Sequence, residues 1–203
     1  MPAILIVCSA NVCRSVLAAA ALSELLPGGA QAIDVSSAGV RARPGMPPCS
    51  RILTSSTLDG SAADLRATHR SRVVTPQAID AADLILTAEA AHRATICSVS
   101  PEARSKTFTL LEAVALADVV RRSEGWAPRA ALAEWVQVLD GARGRIPTPL
   151  RAPWWRHRAP SEELDISDGH VEGRRQHART IATIETAVGR LVGALPDLAD
   201  PAH

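Results

Sequence analysis

The opening fifteen residues constrain the fold more than any other stretch. Four consecutive aliphatics, Ile4-Leu5-Ile6-Val7, run into Cys8; five residues intervene, and Arg14-Ser15 then open an alanine- and leucine-rich segment, Val16 to Leu26, without glycine or proline. The aliphatic run suits a strand buried on both faces, and the segment after it favours helix. The loop between them joins the carboxyl end of a strand to the amino end of a helix. Backbone N–H groups are unpaired there and the helix dipole is positive, so the loop is suited to hold an anion. Such surroundings acidify a thiol, from about 8.5 towards roughly 3.5–7.5. An arginine's planar fork grips two phosphate oxygens. Cys8 as nucleophile and Arg14 around the oxygens would make a phosphoryl-transfer site. The alternative is a structural thiol, since free cysteine is often a core residue; the strand–loop–helix setting favours catalysis.

The rest of the chain repeats the strand-then-helix pattern. Pro27-Gly28-Gly29 stops the first helix, and Ala32 to Ser37 reads as a second strand running into Ala38-Gly39. Prolines at 44, 47 and 48 make a loop, followed by a helix expected over Ser50 to Leu58. Thr75-Pro76 has the form of an N-cap with proline at the first helical position. Ala82 to Thr87 is a third strand, Glu89 to Cys97 a helix, Lys106 to Leu110 a fourth strand, and Leu111 to Val120 a helix. Further helices are expected over Pro128 to Leu139 and Glu172 to Leu195. Alternation of this kind implies a parallel sheet covered on both faces, with ligands at the carboxyl ends of the strands, where Cys8 falls. We find no internal repeat and read residues 1–203 as one domain with an insertion at 126–160.

Charge and cysteine usage narrow the setting. A formal net charge of +1 gives no case for nucleic-acid or membrane attraction. No apolar run approaches the ~18 residues of a membrane span, and no signal-like segment precedes the first strand. The four cysteines include two, Cys8 and Cys13, flanking one short loop, which argues against a secreted disulfide scaffold. A cytoplasmic enzyme is expected, as a monomer or weak dimer.

Cys8-Ser9-Ala10-Asn11-Val12-Cys13-Arg14-Ser15 resembles the phosphate-binding signature of the low-molecular-weight protein-tyrosine-phosphatase family. Ser36-Ser37-Ala38-Gly39 is similar to that family's second-strand motif, Asp83 to Thr87 with Glu89 and His92 to its third, and Thr107 to Glu112 to its fourth. The resemblance implies a phosphatase I-like, three-layer α/β fold with a four-stranded parallel sheet in the order 2-1-3-4. It implies hydrolysis of a phosphotyrosine protein or small aryl phosphate through a phosphocysteine on Cys8, with no metal or organic cofactor. Arg14 and the N–H groups of the loop from Ser9 through Ala10, Asn11, Val12 and Cys13 to Ser15 would bind the phosphoryl oxygens. Ser15 would donate to the thiolate, and Asn11 would hold a left-handed turn. Ser37 and His69 would support the loop, unless His69 is a plain surface histidine. Cys13 either packs or forms a reversible disulfide with Cys8; Cys49 and Cys97 read as bystanders. The implied general acid is Asp168 on Ile166-Ser167-Asp168-Gly169-His170, with Asp165 as runner-up, and the alternative for Asp168 is a cap on the last helix.

Departures from the family pattern bear on substrate recognition. Val40-Arg41-Ala42-Arg43-Pro44 lacks an aromatic, and His170 replaces one after the acid, so the usual walls for a phosphotyrosine ring are missing. Trp154 or Trp155 on the insertion is the candidate replacement, against the plainer reading that they pack or face a partner. Gly169 stands where the family usually has proline, which implies a more mobile acid loop. Three rivals remain: a thiol-dependent arsenate reductase of the same fold, a phosphoarginine phosphatase, and a weak phosphate-binding regulator. The first lacks a relay thiol at Glu89, with only Cys97 near the second relay position. Val12 stands where the second has threonine. The third would not need Asp168.

Overall fold

Side chains along β1 (Ala3–Cys8) alternate across the sheet, and the fold is built outward from that alternation. Ile4, Ile6 and Cys8 face one apolar layer, while Leu5 and Val7 face another. The computed structural model describes residues 1–26, 33–58, 60–124, 131–146, 164–169 and 173–196. Around β1 lie β2 (Asp34–Gly39), β3 (Leu84–Thr87) and β4 (Thr107–Thr109), all pairing parallel in the order β2-β1-β3-β4. This is the expected sheet and strand order.

One layer is supplied by α1 (Arg14–Leu25), α5 (Leu110–Glu124) and α7 (Arg174–Val192), with α6 (Leu132–Gly141) adding the buried Trp135. The other holds α3 (Pro76–Ala81) and α4 (Ala90–Val99), which bury Ile79 and Ile96 against Leu5, Val7 and Ile85. Residues buried on both sheet faces explain why β1 and β3 read as unbroken aliphatic runs.

Local chemistry sets the helix starts. Thr75 Oγ1 accepts from Ala78 N–H at 3.2 Å with Pro76 in the first turn, as the sequence implied. Thr109 and Glu112 form a reciprocal capping box on α5: Glu112 N–H donates to Thr109 Oγ1 at 3.1 Å, and Thr109 N–H to Glu112 Oε2 at 3.2 Å. The family-like fourth motif thus works as a helix start.

Residues 50–58 differ from the expected helix. They form two 3-10 turns, Ile52–Thr54 and Ser56–Leu58, and a short helix α2 (Ala62–Thr68) follows. The hydroxyls here take other partners, Thr54 donating to Arg51 C=O at 2.9 Å and Thr57 to Glu185 at 3.1 Å. The fourth strand ends at Thr109, one residue short of expectation, because Leu110 begins α5. The stop at 27–29, the Pro128 start of the next helix, the Glu172 start of the last, and most of the insertion at 126–160 lie outside the described residues. Among the described residues no helix is long and apolar enough to cross a membrane.

Candidate active site

The Cys8–Ser15 loop turns at Asn11, the one described non-glycine residue with positive φ, at 54°. Asparagine tolerates that backbone because its short amide bonds locally. Its Nδ2 donates to Ser15 Oγ at 3.0 Å and Ser37 Oγ at 2.9 Å, and its Oδ1 accepts from Arg72 N–H at 3.0 Å. His69 Nε2 lies 3.0 Å from the Asn11 carbonyl. The buried amide therefore has a partner on every side and ties the loop to β2 and the 69–72 segment. Gly39 ends β2 directly beneath: a Cβ there would stand 2.6 Å from Ser9 O and 2.9 Å from Asn11 N, so the loop rests against a position only glycine can fill.

Cys8 Sγ is buried in a nest of donors. Asn11 N–H donates to it at 3.3 Å, and Ser15 Oγ lies 3.1 Å away. Because Asn11 Nδ2 already donates to Ser15 Oγ, the serine's own proton is left to point at the sulfur. Both contacts place hydrogen-bond donors around the sulfur.

Arg14 is 3% exposed and divides its donors between two carboxylates. One terminal nitrogen donates to Glu89 and, at 2.9 Å, to the Ile166 carbonyl; the other donates to Asp168 Oδ2 at 2.7 Å and Ser9 Oγ at 3.3 Å. Burial works against its charge, but the Glu89 bond and the Glu89 and Asp168 charges outweigh that and hold the guanidinium above its ordinary range. The acid segment is docked by backbone, Ile166 N–H to Ala88 C=O at 2.8 Å and Thr109 Oγ1 to Leu164 C=O at 2.7 Å. Gly169 lets it press on α7, since a Cβ would lie 2.6 Å from His177 Cα.

Of the two candidate acids, Asp165 serves the backbone: its Oδ1 accepts from Ala90 N–H at 2.7 Å, at the start of α4. Asp168 does not cap the last helix, whose N-cap is Gly173; it faces Arg14. Cys13 stands at the N-cap position of α1 without a side-chain capping bond and is not bonded to Cys8, both thiols being free. It faces His177 Nε2 at 3.3 Å, with Cys49 Sγ 3.9 Å from the same nitrogen, so the structure brings Cys49 beside both residues. The hydrogen bond with Cys49, and burial, push the Cys13 thiol well up. His170, Trp154 and Trp155 lie outside the described residues.

In the sequence His92 is only a motif position and Glu89 a motif position that also marks an absent relay thiol; the structure places both at the site. His92 Nε2 meets Ser9 Oγ at 2.8 Å, while its buried Nδ1 has no partner among the described residues. A charged ring would bury an N–H without an acceptor among the described residues, which disfavours the protonated form. Burial lowers its pKa, with Arg14 and Arg41 adding to the effect and Glu89 opposing it. Burial lowers His69 as well, against its bond to the Asn11 carbonyl. Both rings thus have folded-state values below the ordinary 6.5. The unfolded chain takes up protons that the folded chain refuses, so their contribution to stability is present above that value and is lost as pH falls below it. The urea midpoint should drop between about pH 7 and pH 5, and less steeply in His92→Asn; equal slopes would refute the assignment.

The arrangement can hold a tetrahedral oxyanion over the Cys8 sulfur, with a carboxyl group at its edge. Residues 3–120 match the family model described as low molecular weight phosphotyrosine protein phosphatase. The chain is 37% identical over 163 residues to the protein-arginine-phosphatase of Geobacillus stearothermophilus, covering 80% of this chain and 88% of that protein. It is 33% identical over 131 residues to the low molecular weight protein-tyrosine-phosphatase Etp of Escherichia coli K12, covering 60% and 79%. Among solved structures, YwlE arginine phosphatase from Geobacillus stearothermophilus aligns with a TM-score of 0.58 at 25% identity, over 95% of this chain and 92% of that one.

Proposed function

This chain belongs to the low molecular weight phosphotyrosine protein phosphatase family, and from that premise we propose that it hydrolyses phosphotyrosine or aryl phosphate monoesters through a phosphocysteine intermediate. The observation that carries the reading is Cys8 Sγ among two donors, with Arg14 and Asp168 2.7 Å apart at the same loop. Cys8 attacks phosphorus in line, the S–P bond forming as the P–O bond breaks. Arg14 and the loop N–H groups hold the equatorial oxygens. With His92 donating to Ser9 Oγ, the serine's proton is left for a phosphoryl oxygen. Asp168 gives its proton to the leaving oxygen, then takes one from the water that cleaves the S–P bond. Inorganic phosphate leaves, and the Cys8 thiolate returns to Asn11 and Ser15. Asn11, Ser37 and His69 position the loop. We take residues 1–203 as one phosphatase domain, the 126–160 segment as an insertion, and the setting as cytoplasmic.

A second reading has its own support. Two carboxylates, Glu89 and Asp168, flank Arg14, and both would suit the cationic guanidinium of phosphoarginine. The 37% identical relative is a protein-arginine-phosphatase, whereas Val12 leans towards tyrosine. Initial rates without metal on p-nitrophenyl phosphate, a phosphotyrosine peptide and a phosphoarginine peptide test both. Phosphotyrosine turnover at a kcat/KM at least tenfold above phosphoarginine is expected; the reverse ranking selects the second reading. Failure on all three, with arsenate reduced at the expense of a thiol, would overturn both.

A further inference from the structure

Cys13, Cys49 and His177 come from three distant parts of the chain, and their donor atoms meet within 4.8 Å of one another. Cys13 stands at the N-cap position of α1, His177 lies near the start of α7, and Cys49 follows the 41–48 loop, its N–H donating to Val12 C=O at 2.7 Å. Cys13 and His177 are buried and Cys49 is half-buried, which leaves an approach from the Cys49 side. We propose that Cys13 Sγ, Cys49 Sγ and His177 Nε2 form a Zn²⁺ site that clasps the phosphate-binding loop to the last helix.

Geometry and ligand chemistry both support it. Tetrahedral zinc with bonds of about 2.3 Å to sulfur and about 2.05 Å to nitrogen places a sulfur roughly 3.5 Å from a nitrogen and the two sulfurs about 3.8 Å apart. The sulfur–nitrogen separations here are 3.3 and 3.9 Å, within a few tenths of that spacing before any ion enters. Two thiolates and one imidazole are a common zinc donor set, and three protein ligands leave a fourth position for water. Each ion bound displaces two thiol protons, and the imidazole proton moves from Nε2 to Nδ1. One contact opposes that move: Arg51 NH1 lies 3.2 Å from Nδ1 and can only donate. Arg51 is exposed, so it can swing aside, and an acceptor in its place should strengthen the site.

The test uses the full reduced chain carrying Cys8→Ser, so that the nucleophile's sulfur contributes nothing. Co²⁺ titration should give one equivalent with tetrahedral d–d bands and a thiolate-to-cobalt charge-transfer band, abolished by added Zn²⁺. Cys49→Ser and His177→Gln, added singly, should each weaken binding by well over tenfold, and Zn²⁺ should raise the Tm of the parent but not of these variants. An octahedral spectrum without charge transfer, or binding unaltered by Cys49→Ser, overturns the proposal. Should those variants fail to fold, Arg51→Glu carries the test: about tenfold tighter Co²⁺ binding is expected, and unchanged binding refutes the site.

Discussion

Cys8→Ser should lower kcat/KM on p-nitrophenyl phosphate by roughly 10⁴-fold or more, as losses of a nucleophile do elsewhere, while leaving the fold and phosphate binding in place. The reason lies in what surrounds the sulfur. Its neighbours, Asn11 N–H and the Ser15 hydroxyl, are donors. Donors stabilise an anion, but they cannot act as the base that a serine hydroxyl needs to lose its proton. A hydroxyl in that nest is therefore a far poorer nucleophile, although it fits. The oxyanion site remains, since Arg14 is held by the Ile166 carbonyl and Asp168 and not by the sulfur. Calorimetry with inorganic phosphate should give a Kd within about tenfold of wild type, and the wild-type chain alone should yield an acid-trapped phosphocysteine. Residual turnover within tenfold of wild type would mean that Cys8 is not the nucleophile.

That nest was partly legible in the chain. The aliphatic run, the cysteine and the helix-forming segment fix a strand, a loop and a helix, and repetition of the pattern fixes a parallel sheet. Its β2-β1-β3-β4 order came from family resemblance, because alternation alone does not choose among topologies. The 50–58 segment misled because short turns and an N-terminal helical turn share composition, and only Glu185, 128 residues beyond Thr57, supplies the partner that draws the hydroxyl away. None of the seven residues of α2 is fully buried and only Ala62 and Leu65 pack partly against the core, so the apolar stripe is too short to read.

Pairings across long sequence separations were the least legible. Asp165 and Asp168 lie in one loop and look alike, yet one caps α4 and the other meets Arg14. What separates them is how Ile166 N–H seats on Ala88, a tertiary contact. Glu89 was read as a missing thiol, when its carboxylate is the partner that keeps a buried guanidinium charged. The meeting of Cys49 with Cys13 and His177 has no local signature, since the spacing 13, 49 and 177 follows no short metal motif.

The Arg14–Asp168 pair implies a second large effect. Asp168 Oδ2 accepts from the guanidinium at 2.7 Å, so a phosphoryl group that draws on the same guanidinium competes with that contact and frees the carboxyl group to face the leaving oxygen. The acid role proposed for Asp168 makes its loss fall hardest on a poor leaving group. Asp168→Asn keeps the shape and removes the proton, and kcat on a phosphotyrosine peptide should fall by roughly 10²–10³. The leaving phenolate there has a pKa of about 10 and needs protonation. Nitrophenolate is a far better leaving group, so the fall on p-nitrophenyl phosphate should be several-fold smaller, while inorganic phosphate should bind no more weakly once a competitor for Arg14 is gone. Asp165→Ala should cost about 0.5–2 kcal/mol of stability through the lost bond to Ala90 N–H and spare the leaving-group dependence. Equal losses on both substrates in Asp168→Asn would instead assign Asp168 to positioning Arg14, with the proton coming from elsewhere.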